Sequence, residues 1–131
     1  MIIIKSYNEI DDILKDILNN FIQTHFEESR LFTYEYIIYC IDDNNDVIGF
    51  LGLQIFDNNI TINQLCVDSN HRNKGIATAL LEFTEKEFQN HNQFLYTHKL
   101  ELYKFYCNKG FSEVYRDNFK IKMRKLSSAI V

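Results

Sequence analysis

Residues 60–88, "ITINQLCVDSNHRNKGIATALLEFTEKEF", run an apolar strand, a basic turn and an amphipathic helix together without a break. In the strand, Ile60 and Ile62 set the apolar face on even positions, while Leu65 and Val67 set it on odd ones. A strand changes parity only where an extra residue enters its ladder, which predicts a β-bulge. A strand buried on both faces is the alternative. After Gly75, the residues Ile76, Ala77, Leu80, Leu81, Thr84 and Phe88 recur at helical spacing, with Glu82, Glu85, Lys86 and Glu87 outside the stripe. Gly75 is one of only four glycines in a chain without proline, and it falls where strand gives way to helix. The first turn of a helix carries N–H groups without internal partners, at the positive end of the dipole. Gly75 and the small Ala77 leave room for close approach, and Arg72 and Lys74 add charge. The stretch therefore predicts a phosphate-binding helix start. Taken alone, it also suits a solvated basic turn. The strings of the P-loop and of the dinucleotide fingerprint are both missing.

Working outward, "IIIKSY" (2–7) reads as a first strand, followed by an apolar stripe at Ile10, Ile13, Leu14, Ile17, Leu18 and Phe21. Asn8 with Asp11 is the expected cap and acidic first turn of that helix. Segment 23–33 is polar and aperiodic, a loop or a short second helix. Residues 34–41, 47–56 and 60–67, joined by "DDNND" and "DNN", predict an antiparallel meander. The helix after Gly75 then crosses over, right-handed, to a parallel strand at 93–98. A helix over 99–110 stops at Gly110, and 111–126 forms a final hairpin. The expected fold is an α/β domain with a mixed, mostly antiparallel central sheet flanked by helices.

The 131 residues suit a single domain over 1–131, and a chain of this length buries roughly two-thirds of its unfolded surface. Fourteen basic against eighteen acidic residues leave a net charge of −4, without the basic excess of a nucleic-acid binder. Cys40, Cys66 and Cys107 are odd in number and form no CxxC pair, which reads as free thiols in a reducing cytoplasm and not as a metal site. The N-terminal apolar run is too short for a signal peptide, and no stretch approaches ~20 apolar residues, so no membrane association is expected.

Two motifs carry a more specific message. Arg72, Asn73, Lys74, Gly75, Ile76 and Ala77 fit [RQ]-x-x-G-x-[GA]. Phe105, Tyr106, Cys107, Asn108, Lys109, Gly110 and Phe111 fit aromatic-Tyr-x-x-x-Gly-Phe. With the elements between them, they resemble the GNAT superfamily of N-acetyltransferases over most of the chain. The resemblance implies acetyl-CoA as acetyl donor, its diphosphate on the backbone amides of the loop from Arg72 to Thr78. It implies a pantetheine arm along Leu65, Cys66 and Val67, where the bulged strand splays from its parallel neighbour, and a backbone N–H near Leu65 or Cys66 as oxyanion donor. It also implies an amine acceptor, small molecule or peptide, and homodimers through the last strands.

In direct acetyl transfer Tyr106 matches the family's general acid, with packing beside Tyr103 and Phe105 as the plainer alternative. The strand "TINQLCV" lacks the carboxylate that many relatives use as base. His98, Asp57, Asp68, Glu28 or a chain of waters remain for that role. His71 reads as a side chain of the phosphate loop, and Cys66 as a structural thiol. Ser69, Lys99 and Leu102 depart from the family's usual proline, asparagine and alanine. Those departures keep open a catalytically silent acetyl-CoA-binding module, and, further off, an interaction domain. The acceptor has no recognisable code, although Glu27, Glu28 and Glu35 together would attract a cationic amine.

Overall fold

The computed structural model describes residues 1–25, 34–98 and 100–127. One seven-stranded sheet organises them. Its strands are β1 (Ile2–Ser6), β2 (Tyr36–Ile41), β3 (Val47–Phe56), β4 (Asn59–Val67), β5 (Asn92–Thr97), β6 (Ser112–Arg116) and β7 (Ile121–Lys125), in the order β1-β2-β3-β4-β5-β7-β6. The helices are α1 (Asp12–His25), α2 (Ile76–Glu87) and α3 (Leu100–Asn108). Every neighbouring pair is antiparallel except β4 with β5, which is parallel. The expected mixed α/β sheet is borne out.

Alternation along β3 assigns the two faces. Leu51 and Leu53 join Ile60, Ile62, Leu95 and Met123 under α2 and α3, which contribute Leu80, Leu81, Phe88 and Tyr106. Phe50, Ile37 and Tyr39 face the other way and meet Leu18 and Ile22 of α1. Leu18 and Ile22 are fully buried, and each such side chain stabilises by roughly 1.5–3 kcal/mol.

The first helix departs from its reading. Asp11, not Asn8, caps it: the Leu14 N–H donates to Asp11 Oδ1 at 2.8 Å, while Asn8 lies in a 3-10 turn, Tyr7–Glu9. Ile10 is buried but precedes the helix, so counting the stripe from it shifts the phase. The buried line is Leu14, Leu18, Phe21 and Ile22, and Ile13 and Ile17 face solvent. Segment 26–33, with Glu27 and Glu28, lies outside the described residues, as does Lys99.

α3 ends as expected. Gly110 takes φ +93°, and the Phe111 N–H reaches back to Tyr106 O at 3.0 Å, with Gly110 N–H to Cys107 O at 3.1 Å. This double closure satisfies the last carbonyls and returns Phe111 onto the Tyr106 ring, centroids 5.8 Å apart. Lys125 of β7 bridges Glu85 of α2 (2.8 Å) and the Lys109 carbonyl (2.8 Å), tying the end of α3 to the sheet.

Candidate functional site

The parity change in β4 is a bulge. Leu51 pairs with Leu65 and Leu53 with Ile62, so two steps on β3 face three on β4, and Asn63 is the extra residue. Both partners of Leu51 and Leu53 thereby keep to the α2 face. The parallel pairing ends at the same level: Ile62 with Leu95 is its last pair, though β4 continues to Val67 and β5 to Thr97. From Gln64 to Val67, β4 keeps β3 on one side and has no strand partner on the other among the described residues. Leu65 and Val67 are half-buried there, and Cys66 is buried. Burial pushes the Cys66 thiol up to about 12, so thiolate is scarce near neutral pH and the residue is a poor nucleophile.

The open half of β4 leads directly into the loop. Asp68 and His71 clamp its start, with Nδ1 and Oδ2 2.6 Å apart, around a 3-10 turn, Ser69–His71. The Arg72 Nε donates to Val67 O at 3.3 Å, which ties the loop to the strand end. Asn73 at φ +63° and Gly75 at φ +80° both turn left-handed, and alternation of this kind gathers N–H groups into an anion-sized concavity. The first bond of α2 is Ala79 N–H to Gly75 O, 2.9 Å. The N–H groups of Ile76, Ala77 and Thr78 have no acceptor among the described residues, as expected of a helix start. A Cβ built on Gly75 would meet nothing within 4 Å, so the helix start opens onto free space there. Arg72, Asn73 and Lys74 are exposed around it. The geometry thus offers donors and space to a phosphate.

One close contact sets where this helix start lies. A Cβ on Gly49 of β3 would come within 2.8 Å of Ile76 Cγ2 and 3.1 Å of Leu80 Cδ1. Gly49 pairs with Val67, so the first turn of α2 rests on bare backbone beside the end of the open strand.

Tyr106 is only 7% exposed, packed edge-on between Phe105 and Phe111. Burial pushes its phenol up to about 12, so it holds its proton throughout the neutral range. The other sequence candidates scatter. Asp57 sits in the turn between β3 and β4, at the closed end of the sheet and away from the splayed end. Asp68 is engaged by His71. His98 is exposed, its Nδ1 2.6 Å from the Phe119 carbonyl in the β6–β7 turn. Glu28 lies outside the described residues. Gln64 was not anticipated: it follows the bulge, and its Oε1 is buried without a hydrogen-bond partner. Amide side chains carry no sequence signal of that kind.

The acetyltransferase (GNAT) domain family matches residues 34–113 of the chain, from β2 into β6. The chain belongs to the GNAT acetyltransferase family. No curated protein sequence matches it. Solved GNAT folds superpose on nearly its whole length. The ribosomal-protein-S18-alanine N-acetyltransferase of Escherichia coli does so with TM-score 0.77 at 16% identity, over 98% of this chain and 95% of its own. An aminoglycoside 6'-N-acetyltransferase complexed with coenzyme A gives 0.73 at 20%, over 94% and 96%. The PaiA N-acetyltransferase of Thermoplasma acidophilum, in complex with coenzyme A, gives 0.65 at 18%, over 95% and 98%. At such identities the likeness establishes the GNAT fold. Among the described residues no helix is long and apolar enough to cross a membrane, and no cluster of His, Cys, Asp or Glu suits a metal ion.

Proposed function

We propose that residues 1–131 form one acetyl-CoA-dependent N-acetyltransferase domain that moves an acetyl group directly to a primary amine. One observation carries the reading: the half-open strand and the left-handed phosphate loop lie at the same end of the sheet and share Val67, through Arg72. The residues present fit the cofactor, since the N–H groups of Ile76, Ala77 and Thr78, unpaired among the described residues, and the left-handed turns at Asn73 and Gly75 face open space. Solved relatives with coenzyme A point the same way.

Bound acetyl-CoA supplies an activated acetyl thioester. The amides from Arg72 to Thr78 hold its diphosphate, with Arg72 and Lys74 adding charge. The free edge of Leu65, Cys66 and Val67 offers backbone hydrogen bonds to an extended arm, and an N–H of that edge stabilises developing oxyanion charge. Tyr106 keeps a proton on Oη and offers it to the departing sulfur as general acid. Cys66, buried and protonated, forms no acyl intermediate, so donor and acceptor occupy the site together. No carboxylate lies on β4 between Asn59 and Val67, and a chain of waters takes the proton from the amine. Three free cysteines, two of them buried, suit the reducing cytoplasm, and the exposed edge of β6 suits pairing with a second copy.

A thermal-shift titration with acetyl-CoA, with adenosine diphosphate as control, tests this reading. At a concentration ~100 times the dissociation constant, stabilisation equivalent to roughly 2.7 kcal/mol is expected. An unmoved melting temperature removes it.

A further inference from the structure

The sheet face opposite α2 and α3 is not uniform. Where α1 packs against it the face is buried, through Ile37, Tyr39 and Phe50. Beyond β4 its character changes. Met123 is fully buried on the α2 side, so the flanking Lys122 and Arg124 of β7 point the other way. Tyr96 pairs with Lys122 and Phe94 with Arg124, which puts both rings on that same face. Tyr115 of β6 also pairs with Lys122. Tyr96 is 41% exposed and Tyr115 44%, and Arg124 is exposed as well. Lys120 extends the row, its Nζ 4.6 Å from the centre of the Tyr96 ring. Lys122 lies over Phe94 at 5.1 Å and over Tyr96 at 5.9 Å.

Two lysines therefore stand on an aromatic floor beside the gap between β4 and β5, with Arg124 next to them in the same row. The residues that register places with them on this face, Ser112, Tyr115, Phe94, Tyr96 and Thr61, include no carboxylate. Asp117 borders the row at one end, where its Oδ1 accepts the N–H groups of Phe119 and Lys120. In a chain of net charge −4, this is a local reversal of sign, and such reversals steer and orient oppositely charged partners.

We infer that this face docks the acceptor, and that the acceptor is the amino end of an acidic peptide. The inference rests on the acetyltransferase reading and names its substrate class. The amino group belongs at the gap where β4 and β5 part, and the cations of β7 lie two strand spacings from β4, about 10 Å, so an extended peptide of up to about three residues spans the distance. Carboxylates that follow the first few residues would meet Lys120, Lys122 and Arg124. A nucleic acid fits less well, because lysine side chains already cover the Phe94 and Tyr96 ring faces on which bases would stack.

Fluorescence anisotropy tests the docking without any turnover. The probes are a short glutamate-rich peptide with a free amino terminus, labelled at its carboxyl end, the same peptide with lysine for glutamate, and an oligouridine of similar length. The acidic peptide should bind at least about tenfold more tightly than the lysine peptide, with affinity falling as salt rises. The double variant Lys122→Gln/Arg124→Gln should lose that preference, whereas Lys86→Gln on the exposed side of α2 should keep it. Arg124 and Lys86 are exposed and Lys122 is half-buried, and melting temperatures would verify that each variant is folded. Equal binding of the two peptides, tighter binding of the oligouridine, or an unchanged preference in the double variant would each overturn the inference. A failure of acetyl-CoA to stabilise the wild type is a separate result, and it strikes the acetyltransferase reading instead.

Discussion

The two halves of β4 differ in what surrounds them. From Asn59 to Ile62 the strand is paired on both sides, to β3 and to β5, and Ile60 is fully buried. From Gln64 to Val67 it is paired, among the described residues, on one side only. The closed half spends its backbone groups on the sheet, and the open half keeps a row of them available. One extra residue separates a half paired on both sides from a half with a free edge.

Deleting Asn63 is the hardest test of that contrast. Removal of the extra residue leaves Ile62 opposite Leu53 and Leu65 opposite Leu51, so the inward faces stay in register while the local kink of the bulge is lost. The expected result is a protein that keeps its cooperative thermal transition but loses acetyl-CoA binding, read by calorimetry; a deletion that binds acetyl-CoA as the wild type does would refute the assignment. Gly75→Val comes next. A β-branched residue at φ +80° is strained by roughly 1–3 kcal/mol, and its side chain would enter the open space at the helix start that the proposed diphosphate needs. Calorimetry should find no acetyl-CoA binding by a folded protein, and unchanged affinity would place the phosphate elsewhere.

Tyr106→Phe should leave cofactor affinity intact and lower turnover by ~10²-fold. Equal rates in a thiol-release assay would make Tyr106 a packing residue only. The smallest effect is alkaline. Burial raises Cys66 from its ordinary 9.0 to about 12, and Tyr34 and Tyr106 from 10.0 to about 12. The unfolded chain releases these protons first, so stability is fully present below pH 9.0 and falls as pH rises toward about 12. Denaturant midpoints across that window check the sign, and Cys66→Ala should flatten the part nearest pH 9.0.

Most of the architecture was legible because periodicity is set by which face meets the core. The parity change between Ile62 and Leu65 announced the bulge, and Gly110 the end of α3. The phase of α1 was misread because Ile10 belongs to the core but not to the helix, so an apolar count that starts there drags Ile13 and Ile17 inward. The loop's glycine was legible, but its second left-handed residue, Asn73, was not, since asparagine is common in turns of many kinds. Asp57 shows a different limit. Its closeness in sequence to β4 concealed that it sits at the wrong end of the strand. The Lys122 and Arg124 face was hidden in plain alternation, because sequence gives the period of β7 but not the strand beside it.

Gly49 lies beneath the start of α2 and fixes its height above the sheet. The first turn of α2 rests on β3 through the space a methyl group would occupy, with Ile76 Cγ2 only 2.8 Å from that point. Any larger residue at position 49 would act as a shim beneath the helix, lifting the amides that follow Gly75 away from the end of the open strand. The spacing between the two halves of the proposed binding groove is thus recorded on a neighbouring strand, as an omitted carbon.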